Sequence, residues 1–99
     1  MPVRLNHAIF WASDPRKSAR LLAAILGRPE PSRFDQFEAV HLDNEAALDF
    51  GARQGPIQSQ HYAFLIDDAD FDGIFGRIRE YGLGYWADPA RRTPGEIKQ

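Results

Sequence analysis

A chain of 99 residues is one small domain, able to bury about two thirds of its unfolded surface. With 43% hydrophobic and 26% charged residues and a formal net charge of -2, it has ordinary globular composition and no electrostatic footprint for DNA or RNA. It contains no cysteine, which excludes a disulfide framework, a thiolate metal site and a cysteine nucleophile, so any metal must be held by histidine and oxygen.

The N-terminal "MPVRLNHAIF" lacks the apolar run of a signal peptide, and no stretch approaches the ~20 apolar residues of a membrane span. A cytoplasmic protein without membrane contact is expected. The first element is a strand in "LNHAIF", residues 5–10, where alternation sets Leu5, His7 and Ile9 on one face and Asn6, Ala8 and Phe10 on the other. A helix from about Pro15 to Leu26 follows, with Asp14 as N-cap, Pro15 at the first helical position, and Gly27 and Pro29 as the stop. Its apolar stripe is Ala19, Leu22, Ala23 and Leu26.

Two alternating runs flank Asp43 and Asn44 and predict a hairpin between about Phe37–Leu42 and Ala46–Gly51. "RQGPIQSQ" is a loop, and "HYAFLI", residues 61–66, is expected as a further strand. "DDADFDGIFGRIREYG" predicts a second helix with an acidic start, the stripe Phe71, Ile74, Phe75 and Ile78, and a stop at Gly82. "LGYWADP" is expected to form a short strand ending at Pro89 before a polar tail.

The order of elements repeats. His61 follows His7 by 54 residues (61 − 7) and Gly82 follows Gly27 by 55 (82 − 27), which suggests a duplicated unit. Two such halves with helices on one side make an α+β domain whose other sheet face is open or curls around a cavity. In "HYAFLI" the bulky set Tyr62, Phe64 and Ile66 suits helix packing, which turns His61 toward the same concave space as His7.

Tandem βαβββ units with a histidine early in each first strand, carried by "LNHAIFWASDPRKSARLLAAILG", "QHYAFLI" and "FDGIFGRIREYG", resemble the vicinal oxygen chelate superfamily. Glyoxalase I, fosfomycin-resistance proteins, extradiol dioxygenases and bleomycin-resistance proteins belong to that superfamily. The resemblance spans residues 3 to 96 and implies one domain over residues 1–99, with unit 1 at about 3–55 and an incomplete unit 2 at about 58–99. The implied architecture is a curved mixed sheet around a cavity with helices on its outer face.

By position, the resemblance makes His7 and His61 ligands of a divalent iron, manganese, nickel or zinc ion that chelates adjacent oxygens of a substrate. The family's third ligand, a glutamate on the last strand, has no counterpart in the chain, since Glu80 belongs to the helix and Glu96 precedes where those strands would start. Family members commonly pair units from two subunits, so a homodimer is expected. Two functions stay open: a metal-dependent small-molecule enzyme of the glyoxalase or dioxygenase type, and a metal-free, dimeric binding protein of the bleomycin-resistance type.

Each singled-out residue also has a plainer role. His7 and His61 could each be strand histidines bonded to a backbone carbonyl, and His41 a surface or interface residue. Asp49, flanked by apolar residues in "ALDF", is either an edge charge that blocks aggregation or a polar group facing the cavity. Trp11, Phe37, Tyr85 and Trp86 are packing aromatics or pocket walls; Trp11, Tyr85 and Trp86 join Asp49 as the candidate substrate contacts. Arg91 and Arg92 follow in the loop, either as contacts for an anionic substrate or, more plainly, as solvated side chains.

Overall fold

The computed structural model describes residues 2–85. In chain order the elements are β1 (His7–Ala12), α1 (Pro15–Leu26), β2 (Ser32–Phe34), β3 (Phe37–His41), β4 (Ala47–Ala52) and α2 (Asp68–Glu80). The chain falls into two compact units that divide between Phe64 and Leu65. The first contains α1 and all four strands, and the second contains α2.

The first unit is a βαβββ unit with sheet order β1-β4-β3-β2. β1 runs parallel to β4, while β4, β3 and β2 pair antiparallel, so the sheet is mixed. The parallel pair needs a long crossover, and α1 begins it. α1 holds the bounds expected from its caps. Asp14 accepts the Lys17 backbone N–H at 3.2 Å, and Gly27 closes the helix in the left-handed conformation at φ 68°.

The core lies between α1 and one sheet face. Ala19 and Ala23 of the helix meet Ala12, Val40, Leu48 and Phe50 of the sheet, with Phe10, Leu22 and Leu42 packed around them. Small residues on the helix let its axis approach the sheet closely, and the branched and aromatic strand residues fill the space between. Ile25, outside the expected stripe, is also buried.

The β3–β4 hairpin forms as expected, closed by the Leu42 N–H on the Ala46 carbonyl at 2.9 Å. β2 is an addition: three residues joined to β3 by a tight turn in which Asp35 takes φ 55°. In the second unit α2 has the expected acidic first turn, Asp68 and Asp70, and basic last turn, Arg77 and Arg79. Its stripe residues Phe71, Ile74, Phe75 and Ile78 are half-buried.

Two expectations are corrected. Residues 61–66 are not a strand, and the second βαβββ unit is not seen. A strand exists through hydrogen bonds to a neighbour, and no strand forms among the described residues after α2 to pair with "HYAFLI". Among the described residues the sheet is a four-stranded layer that is not strongly curled. Of the strand expected around "LGYWADP", residues 83–85 are irregular and the remainder lies outside the described residues.

Candidate functional site

Alternation along the strands decides which side chains face away from α1. Phe10 and Ala12 of β1, Leu48 and Phe50 of β4 and Val40 of β3 face the helix. His7, Ile9 and Trp11, Ala47, Asp49 and Gly51, and Phe37, Ala39 and His41 therefore share the open face. The expected placement of the His7 face of β1 opposite the helix is what the structure shows.

Register then builds a grid. His7 stands beside Ala47 and Ala47 beside His41; in the next row Ile9, Asp49 and Ala39 align. In the third row Trp11 pairs with Gly51, and Phe37 reaches Gly51 from the other side. A Cβ at Gly51 would stand 2.9 Å from Trp11 Cζ3 and 2.8 Å from Phe37 Cε1, so the two rings meet above a position that only glycine can occupy. The middle of the face, bounded by Ala39, Ala47 and Gly51, is floored by small residues with Asp49 at its centre.

Asp49 is 8% exposed. β4 lies between β1 and β3, so Asp49 is no edge charge, and of its two sequence alternatives the structure supports the one that faces the open side. Trp11 and Ile9, at 45% and 43% exposed, border it on the β1 side.

The histidines differ. His7 is exposed, and its Nδ1 lies 2.7 Å from Asn6 Oδ1. An amide oxygen only accepts, so this contact sets the proton on Nδ1 and leaves Nε2 as the nitrogen able to bind a metal. His41 spends its Nε2 on Ser32 Oγ at 2.9 Å, and Arg28 ties down its carbonyl at 2.7 Å. His61 is exposed and outside any strand, so the structure gives it no strand-fixed direction.

Among the described residues no group of three His, Asp or Glu side chains is arranged to hold a metal. The metal that the family resemblance implies is not accommodated by the described residues by themselves. Tyr85 packs edge-on against Phe75 of α2, with ring centroids 5.1 Å apart, and Trp86 lies outside the described residues.

A cleft of about 770 Å³ opens along the outer edge of β1, lined by Phe10, Trp11, Phe50, Arg53, Ile57 and Tyr62 among others. Tyr62 stacks on Phe10 with centroids 4.1 Å apart, and Phe10 meets Phe50 edge-on at 5.2 Å. Trp11 thus belongs both to the cleft and to the open face. The meeting of Phe37 and Trp11 at Gly51 carried a signal in the sequence: a glycine inside an alternating strand marks a close approach. The burial of Asp49 had none.

No family model matches the chain, and neither does any curated protein. Solved structures do. The oxidase ChaP-H1 is 55% identical, with a TM-score of 0.94 over 98% of this chain and 78% of its own. The oxidase ChaP-H2 is 52% identical, with a TM-score of 0.93 over 97% of this chain and 76% of its own. The fosfomycin resistance protein FosX from Mesorhizobium loti shares the fold at 24% identity, with a TM-score of 0.66 over 90% of this chain and 76% of its own. Over half the residues shared with two oxidases along nearly the whole chain, together with the βαβββ unit, place this chain in the vicinal oxygen chelate superfamily.

Proposed function

We propose that the chain works as a small-molecule oxidase whose substrate meets the open face of the β1-β4-β3-β2 sheet. The observation that carries this is the 55% identity to an oxidase over 98% of the chain. The open face supports it, because it gathers an oriented imidazole, a buried carboxylate and two converging aromatic rings on one rigid sheet.

In this proposal the chain is a single domain over residues 1–99, and His7 and His61 are donors to a divalent iron, manganese, nickel or zinc ion. The remaining ligand comes from outside the described residues or from a second subunit. Trp11 and Asp49 contact the substrate, and Tyr85 and Trp86 are assigned as further walls. Among the described residues the outer edge of β1 has no strand beside it, and an unpaired edge favours assembly with another copy, so the working form is a homodimer.

Metal analysis tests the assignment. The purified chain is incubated with iron, manganese, nickel or zinc, desalted and analysed for bound metal, alongside His7→Ala and His61→Ala. Retention by the wild type and loss in each variant is expected; a wild type that retains no metal overturns the metal-dependent reading. The aromatic walls then favour the second function, a metal-free binding protein, which the same preparation tests by ligand titration.

A further inference from the structure

We infer that the cleft at the outer edge of β1 is a second binding site and that it takes a small amphipathic anion: a carboxylate held by Arg53, on an alkyl chain laid against Phe10, Phe50 and Tyr62. The site does not depend on the oxidase reading of the open face. Nor does it depend on a metal being present.

Charge is the first observation. The chain carries 14 acidic residues against 12 basic ones, yet among the described residues no acidic side chain lines the cleft, while Arg53 does. The ion pairs of the described residues engage Arg16, Arg20 and Arg28, and Arg53 is exposed. Its backbone N–H meets the Ala12 carbonyl at 3.0 Å, which fixes the base of the side chain beside the C-terminal end of β1. A guanidinium placed there offers a carboxylate two parallel hydrogen bonds, and Gln58 and Gln60 bring neutral amide donors to the same cleft.

The apolar wall is the second. Phe10 and Phe50 lie on the helix side of the sheet and Ser18 on α1, so this part of the cleft is across the sheet from His7 and Asp49. Phe10 and Tyr62 stack with centroids 4.1 Å apart, and Phe10 meets Phe50 edge-on at 5.2 Å. The rings spend their faces on one another, so they offer a ligand apolar area rather than a face to stack on, and an alkyl chain fills it. Ala12, beside Arg53, and Phe10 stand two residues apart on β1, about 7 Å, so one short chain reaches from the cation to the aromatic wall. The volume of about 770 Å³ lies in the range of small-molecule sites, about 300–1,000 Å³. Edge pairing uses the backbone of β1 while this ligand uses side chains on its α1 side, so a homodimer and an occupied cleft are compatible.

The test is calorimetric titration of the full chain, in neutral buffer containing a chelator, with octanoate, octan-1-ol and octylammonium as probes. The three share one alkyl chain and differ in the head group. Wild type should bind octanoate about tenfold more tightly than octan-1-ol, the worth of one charge-assisted pair at a partly exposed site, and octylammonium most weakly. Arg53→Gln should lose that preference while keeping its affinity for octan-1-ol. Tyr62→Ala, which removes an exposed ring from the wall, should weaken octanoate and octan-1-ol alike, about fivefold. His7→Ala, on the open face, should leave octanoate binding unchanged. Light scattering on the same samples should give one oligomeric state with and without octanoate.

Equal binding of octanoate and octan-1-ol by wild type overturns the inference, as does a preference that survives Arg53→Gln, an affinity unmoved by Tyr62→Ala, tightest binding of octylammonium, or no binding of any probe. Loss of octanoate binding in His7→Ala places the anion on the open face and overturns it too. Octanoate that splits the assembly assigns the cleft to the contact between copies and likewise overturns it. Chelator removes metal from every arm, so an absence of retained metal strikes only the metal-dependent reading and leaves this site standing.

Discussion

Removal of the Arg16 side chain should expose how Glu38 is tolerated inside the protein. Glu38 lies on the helix side of β3 and is 2% exposed. Its Oε1 accepts a hydrogen bond from Arg16 Nη1 at 2.7 Å, while Oε2 is buried with no partner. The Arg16 side chain is 56% exposed and also lies 3.9 Å from Glu30, which Arg20 holds at 2.7 Å.

Arg16→Met keeps the hydrocarbon stem and removes the donor, leaving a buried carboxylate with nothing to bond. Breaking a fully buried pair costs about 3–5 kcal/mol, and the exposure of the guanidinium, which screens its charge, reduces this to about 2–3 kcal/mol. Against a total stability of about 5–15 kcal/mol, that lowers the thermal midpoint by about 10–20 °C in a domain of this size. The double variant Arg16→Met with Glu38→Leu should return to within about 1 kcal/mol of wild type, because an apolar pair of similar volume avoids both desolvation costs. Urea denaturation followed by far-ultraviolet circular dichroism measures both. A loss under about 0.5 kcal/mol for Arg16→Met, or a double variant as unstable as the single one, refutes the account.

The two ends of α1 give further predictions by the same assay. Asp14→Ala removes the acceptor for the Lys17 N–H and should cost about 1 kcal/mol, with Asp14→Ser close to wild type. Gly27→Ala puts a Cβ on a residue at φ 68° and should cost about 1–2 kcal/mol, since the Arg28 N–H to Ala23 carbonyl bond of 2.8 Å holds the left-handed turn in place.

Much of the first unit was legible because its signals are local. The N-cap, proline and glycine of α1 act within a few residues of themselves, and the observed Pro15–Leu26 matches them. The β3–β4 hairpin and the two faces of β1 follow from alternation, although β1 begins at His7, where the ladder to β4 starts. β2 is three residues long and carried no periodicity to read. "HYAFLI" has the composition of a strand and is not one, because pairing depends on residues distant in sequence.

The candidate site divides along the same line. Trp11, Asp49 and His7 were identifiable from residue type and position within a strand. That Asp49 is buried was decided by the crossover that inserts β4 between β1 and β3. Phe37 and Trp11 lie 26 positions apart (37 − 11) and meet only because the register of three strands brings both to Gly51. The sequence by itself determined the helix bounds, the hairpin and the side of β1 that carries His7, since caps and alternation act over a few residues. Tertiary structure alone decided which carboxylates are buried and which rings converge, since burial and convergence are set by strand order and register.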